Sequence, residues 1–153
     1  MKRFWLILLC TFGWAASLVA QGACGKYERT AWKHWVDVDK DCQNTRHEVL
    51  LEESLAPVTF KTSKNCRVIS GSWLGAYSGN VFTDASQLDI DHLVPLKEAH
   101  ISGGYAWDAY RKRDYANDLT DPNTLIAVDR GLNRQKGPSD PAEWLPPNKA
   151  YQA

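Results

Sequence analysis

The sequence predicts a single-domain α+β fold, on three observations. A length of 153 residues suits one domain with room for a real core. Apolar residues make up 44% and charged residues 24% of the chain, which places it with globular rather than disordered proteins. Helix-like and strand-like stretches alternate without a regular β-α-β rhythm, which argues against a doubly wound sheet.

The chain opens on a basic triplet, Met1-Lys2-Arg3. An almost wholly apolar run from Phe4 to Ala20 follows, then the small residues of Ala20-Gln21-Gly22-Ala23. This is the pattern of a secretory leader. The run is near the lower length limit for a membrane span. The expectation is therefore cleavage near residues 20–23, a secreted or periplasmic product without stable membrane association, and a domain over 24–153. An uncleaved anchor is the alternative. Cys10 leaves with the leader, and Cys24, Cys42 and Cys66 remain. In an oxidising compartment, three cysteines imply one pair and one odd thiol. The absence of C-x-x-C and H-E-x-x-H spacings gives zinc little support.

The elements follow in order. Residues 25–44 read as a polar, aromatic-studded lead-in. Thr45-Arg46-His47-Glu48 has capping-box form, so a helix is expected from Thr45 to about Leu55, ended by Pro57. Val58–Lys61 and Cys66–Ser70 read as strands around a turn at Ser63-Lys64-Asn65. Gly71–Gly79 reads as a loop or irregular strand. Leu88–Val94 is an expected strand, Leu96–Ile101 a short helix stopped by Gly103-Gly104, and Ala106–Ala116 a second helix. Leu125–Val128 is a short strand. Asp129 is placed to N-cap a final helix closed by Gly137, and Pro138, Pro141, Pro146 and Pro147 predict an extended tail.

Without the leader, 16 basic residues stand against 18 acidic ones. Overall charge therefore does not favour a polyanionic partner, and local distribution must carry that argument. Basic residues gather at Arg111, Lys112 and Arg113, and again at Arg130, Arg134 and Lys136. Acidic ones gather at Asp37, Asp39 and Asp41, which read as a solvated face. Only the second basic group lies beside a chemically suggestive segment.

That segment has two parts. Asp89-Ile90-Asp91-His92-Leu93-Val94-Pro95 puts a histidine after an acid at the end of a strand. Asn123-Thr124-Leu125-Ile126-Ala127-Val128-Asp129 leads into a helix carrying Asn133, Arg134, Lys136 and Gly137. Together they spell strand, connection, strand, helix. With Cys42, Thr45–Leu50, Ser70–Trp73, Arg113–Asp118 and Pro141–Pro147 in the same order, the chain resembles secreted bacterial HNH (ββα-metal, His-Me finger) endonucleases related to the C-terminal domain of GmrSD-type restriction enzymes. The likeness covers nearly all of the mature chain.

The resemblance implies a ββα-metal core over about 87–137, preceded by a helix and strand hairpin. It implies an exported endonuclease that hydrolyses phosphodiester bonds of DNA, with RNA left open. His92 would be the general base, a role neutral imidazole fills near neutral pH. Asp91 and Asn133 would be oxygen ligands to one divalent metal. Mg²⁺ suits two protein ligands plus waters and phosphate, and Mn²⁺ shares its oxygen preference. Asn123 would brace the loop that orients His92. Arg130, Arg134 and Lys136 would approach the substrate phosphates, with Lys136 equally suited to capping its helix. Asp89 would support a ligand or replace one. Asp91 and His92 face opposite sides of a regular strand, so one site for both calls for a twist or bulge there.

The resemblance also implies a Cys42–Cys66 disulfide, since the similar chains carry cysteines at both places. The residues alone leave Cys24–Cys42 and Cys24–Cys66 open. Similar chains continue past Trp144-Leu145-Pro146-Pro147 with a further cysteine, which leaves Cys24 as the odd thiol here. They commonly have tryptophan at His100, which therefore receives no catalytic role. Two other expectations compete. One is an exported, disulfide-stapled binding module whose Trp32, Trp35, Trp73, Tyr77 and Trp107 form a recognition surface. The other is an HNH-type fold without activity.

Overall fold

A computed structural model describes residues 25–152; the leader, its cleavage site and Cys24 lie outside them. The described residues form a small α+β domain with two antiparallel sheets.

The first helix, α1, spans Thr45–Glu52. Its N-cap is Asn44, whose side chain accepts from the His47 N–H at 3.3 Å, not Thr45 as the capping-box reading expects. Thr45 is fully buried, and its hydroxyl lies 2.9 Å from both Val36 O and Asn117 Oδ1. Tertiary partners outside α1 thus take the side chain, and the cap moves one residue back. The helix ends short of Leu55, whose N–H donates instead to Ser72 O at 2.7 Å.

Three strands form the first sheet: β1 (Thr59–Phe60), β2 (Val68–Leu74) and β3 (Val81–Asp84), with β2 in the centre. Of Gly71–Gly79, read from the sequence as loop or irregular strand, residues 71–74 finish β2 and residues 75–79 turn toward β3, which has no counterpart among the expected elements. Register shifts between Ser70 and Trp73 explain the weak period-two signal. Gly71 is needed there, because a Cβ would meet the Trp73 ring at 2.7 Å. Trp73 is wholly buried and donates through Nε1 to Leu50 O at 2.7 Å, joining β2 to α1.

The second sheet pairs β4 (Leu88–His92) with β5 (Leu125–Asp129), in regular register from Leu88↔Asp129 to His92↔Leu125. Between them lie α2 (Leu96–Ile101) and α3 (Ala109–Ala116), the latter capped by Asp108. After β5, Asp129 caps α4 (Arg130–Lys136) by accepting from Leu132 N at 2.9 Å, and Gly137 closes it with a positive φ.

Alternation divides the second sheet into two faces. Leu88, Ile90, Leu125 and Ala127 join Val49, Leu50, Val68 and Trp73 in the main core. Ile126 and Val128 point the other way, into a cluster with Tyr77, Leu132, Trp144 and Tyr151. A third cluster gathers Trp32, Leu96, Ala99 and Ala116. β5 is therefore buried on both faces, as its apolar run of Leu-Ile-Ala-Val suggests.

Candidate functional site

Parity along β4 and the helical repeat of α4 build the site. Asp89 and Asp91, two apart on a strand, share the face that α4 covers. Asn133 and Lys136, three apart on a helix, share the face of α4 that meets them. The pairs meet in order. Asn133 Nδ2 lies 3.4 Å from Asp89 Oδ2, and Lys136 Nζ lies 2.8 Å from Asp91 Oδ2. Tyr77 reaches the same Asp91 oxygen from the β2–β3 turn, donating its hydroxyl at 2.5 Å. Burial and the negative Asp91 both raise the Tyr77 pKa, so the phenol stays protonated and donates.

His92 ends β4 and is 4% exposed. Its Nε2 lies 3.0 Å from Ala116 O at the end of α3. A carbonyl only accepts, so Nε2 carries the proton and Nδ1 presents a lone pair. Among the described residues, Nδ1 has no hydrogen-bond partner. The ring stacks on Trp35 at 5.8 Å and 18°. Burial drives the imidazole pKa down to about 4, against the opposing pull of the Ala116 carbonyl and of Asp91. His92 is thus a neutral, tautomerically fixed base at neutral pH.

A cavity of about 270 Å³ at the end of β4 is lined by Asp91, His92 and Asn133, together with Tyr27, Arg29 and Lys97 among others. No bulge brings Asp91 and His92 together, since the β4–β5 register is unbroken. The cavity instead touches both residues at the strand's end.

The remaining sequence-predicted residues lie as follows. Asn123 is exposed, and its backbone N–H and Nδ2 both donate to Asp121 Oδ1, which shapes its own turn. The neighbouring Thr124 O accepts from Leu93 N at 3.0 Å, so this turn is tied to the residue after His92. Arg134 is exposed, 3.8 Å from Asp89, and Arg130 is exposed at the start of α4. Lys136 does not reach outward. It is buried in its ion pair with Asp91, as the lysine stem follows the apolar face of α4 inward. The exposed cations at the cavity are Arg29 and Lys97, neither of which the sequence singled out. Cys42 and Cys66 are bonded, 24 residues apart. His100 is buried with Nε2 2.6 Å from Gly25 O, away from the cavity lining.

Asn117 was legible only as part of the Arg113–Asp118 stretch. Its Oδ1 accepts from Val36 N at 3.1 Å as well as from Thr45, and its Nδ2 donates to Lys33 O and Arg113 O at 2.8 and 2.7 Å. One amide therefore locks the lead-in, α1 and α3 together next to Ala116, the residue that holds His92. Of the five aromatics that would form a recognition surface, Trp32, Trp73 and Tyr77 are buried, which removes them from it.

No family model matches the chain, and no solved structure matches it. The chain is 38% identical over 131 residues to an uncharacterized secreted protein of the fungus Arthroderma benhamiae. The match takes in 86% of this chain and spans 62% of the length of that relative. No helix of the described residues is long and apolar enough to cross a membrane. The Cys42–Cys66 bond suits an oxidising compartment, and the chain, like this relative, is a secreted protein.

Proposed function

We propose that this protein is an exported metal-dependent endonuclease of the HNH kind, acting on DNA or RNA. The observation that carries this reading is His92: a buried neutral imidazole, pinned through Nε2 to Ala116 O, in a cavity shared with Asp91 and Asn133. The strand–strand–helix order of β4, β5 and α4 around that cavity agrees with a ββα-metal core.

The residues fit a hard divalent cation, Mg²⁺ or Mn²⁺. Asp91 Oδ1 and Asn133 Oδ1 have no hydrogen-bond donor among the described residues, and oxygen donors are what such ions take. Asp91 and Asn133 would hold the ion, and Asp89 would position the Asn133 amide. Bound there, the ion would polarise a phosphoryl oxygen and stabilise charge on the departing oxygen.

His92 Nδ1 takes a proton from water as the water oxygen bonds to phosphorus and the bond from phosphorus to the 3′-oxygen breaks. The Ala116 carbonyl holds the imidazole in the right tautomer and steadies the imidazolium that forms. Trp35 covers one ring face and fixes its plane. Arg29 and Lys97 stand at the cavity as positive charges for the substrate phosphates.

The test is cleavage of plasmid DNA and of structured RNA by the purified mature protein, with and without EDTA. Divalent-dependent cleavage that His92→Ala lacks is the expected result. Cleavage untouched by EDTA would overturn the metal mechanism, and cleavage at full rate by His92→Ala would overturn the assignment of the base.

A further inference from the structure

Away from the His92 cavity, the side-chain oxygens of Asp37, Asp39 and Asp41 lie within 4.8 Å of one another. Exposed acids often gather without consequence, but three other features single out this group. The first is sequence spacing. From Asp37 to Glu48 the chain reads Asp-x-Asp-x-Asp and then, seven residues on, Glu, which matches the acidic positions one, three, five and twelve of a calcium-binding loop. The second is the place of Glu48, which is part-buried and lines a cavity with Asp41. The third is Gln43. Its Oε1 is fully buried without a hydrogen-bond partner, and it lines a cavity with Asp41 and Glu48. A buried acceptor without a donor calls for an unseen partner, a water or an ion.

The backbone is consistent with this. Cys42 N–H donates to Asp37 Oδ2 at 3.1 Å. Cys42 has φ +77°, at the position where calcium loops carry glycine for the sharp turn. α1 starts at Thr45, so Glu48 stands in its first turn. A cysteine stands where the usual pattern has glycine, and its disulfide to Cys66 holds the left-handed turn covalently.

We propose that residues 37–48 form a calcium-binding loop, with Asp37, Asp39, Asp41 and Glu48 as carboxylate ligands and Gln43 supplying a neutral oxygen. Calcium accepts a flexible set of six to eight oxygens, whereas Mg²⁺ demands tight octahedral geometry and keeps more water. The loop is independent of the nuclease reading and would stand if that reading fell.

The test is calorimetric titration of the metal-stripped mature protein with CaCl₂, alongside thermal melting. Binding at the loop is expected with Kd on the order of 10⁻⁴–10⁻³ M, as in extracellular calcium modules. At tenfold excess over Kd, the melting temperature should rise by about 5 °C. Glu48→Gln and Asp39→Asn keep side-chain shape and should each weaken binding at least about tenfold, the loss of one anionic ligand. Far-UV circular dichroism verifies that both variants fold. Asn133→Ala should leave binding at the loop unchanged, which separates it from the His92 cavity. Absence of heat and of a melting shift at about 10 mM Ca²⁺, well beyond that range, would overturn the proposal. Unaltered binding in both loop variants would do the same.

Discussion

Lys136 Nζ lies 2.8 Å from Asp91 Oδ2, and the two side chains are only 7% and 12% exposed. The sequence reading offers this lysine equally to the substrate phosphates and to capping its helix. In the fold it neutralises the acid that the same reading assigns to metal. Removing one member of a buried ion pair leaves the other uncompensated, which costs more than the pair contributes. Lys136→Met should therefore lower unfolding free energy by about 3 kcal/mol, measured in urea. Lys136→Met combined with Asp91→Leu should recover much of that loss. A change within about 0.5 kcal/mol for the single variant, the surface norm, would show that the pair is not desolvated.

His92→Ala should lower nuclease turnover by roughly a hundredfold or more, the usual contribution of a general base. Divalent-metal affinity, read by calorimetry, should change little because Asp91 and Asn133 remain. Parallel loss of metal affinity would move His92 from base to ligand.

Asn117→Ala removes four hydrogen-bond partners at once: Val36, Thr45, Lys33 and Arg113. With roughly 1 kcal/mol for each net bond and more for a buried group left unpaired, a loss of about 3–4 kcal/mol is expected in chemical denaturation. Asn117→Asp keeps the acceptor for Val36 and Thr45 but sets a carboxylate oxygen against the Lys33 and Arg113 carbonyls, so it should be no milder than Asn117→Ala. A near-neutral Asn117→Ala would mean that packing, not the amide, joins α3 to the lead-in.

The pH dependence of stability should carry a mark of Glu53. Burial raises its carboxyl from 4.5 to about 7, only partly offset by the N–H of Ala127, which donates to both oxygens at 3.0 and 3.2 Å. The folded state then holds a proton that the unfolded state releases, so this group lowers stability as pH rises from about 4.5 to about 7. Glu53→Gln should flatten that slope in melting curves taken across the interval. An identical slope in the variant would show that the carboxylate is already ionised at pH 5.

Reduction of Cys42–Cys66 releases a loop constraint over 24 residues. The chain-entropy model gives about 3 kcal/mol for a loop of that size. Melting with and without a reductant measures it, and an unchanged melting point would place the stabilisation elsewhere.

What the sequence made legible was local chemistry. Asp129 and Gly137 mark α4 because capping and closure act within a few residues. Leu125–Val128 reads as a strand because burial on both faces leaves an unbroken apolar run. The order Asp91, His92, Asn123, Asn133 runs along strand, turn and helix, and three of the four, Asp91, His92 and Asn133, line one cavity. What stayed hidden depends on partners far along the chain. Thr45 is displaced from its cap by Asn117, 72 residues away. Tyr77 meets Asp91 across 14 residues, and Lys136 turns inward to a carboxylate 45 residues earlier. β3 pairs across a shifted register, which blurs the alternation that would announce it.

The stretch from Trp144 to Tyr151 is tied to Asp91 through Tyr77. Asn148 donates from its backbone to Tyr77 O and from its side chain to Ala76 O, while Trp144 and Tyr151 pack on the Tyr77 ring. Tyr77 in turn holds Asp91. Exported chains meet proteases, and ends are where proteases usually nibble without harm. Here a cut before Trp144 would unseat Tyr77 and loosen an acid that lies far away in sequence.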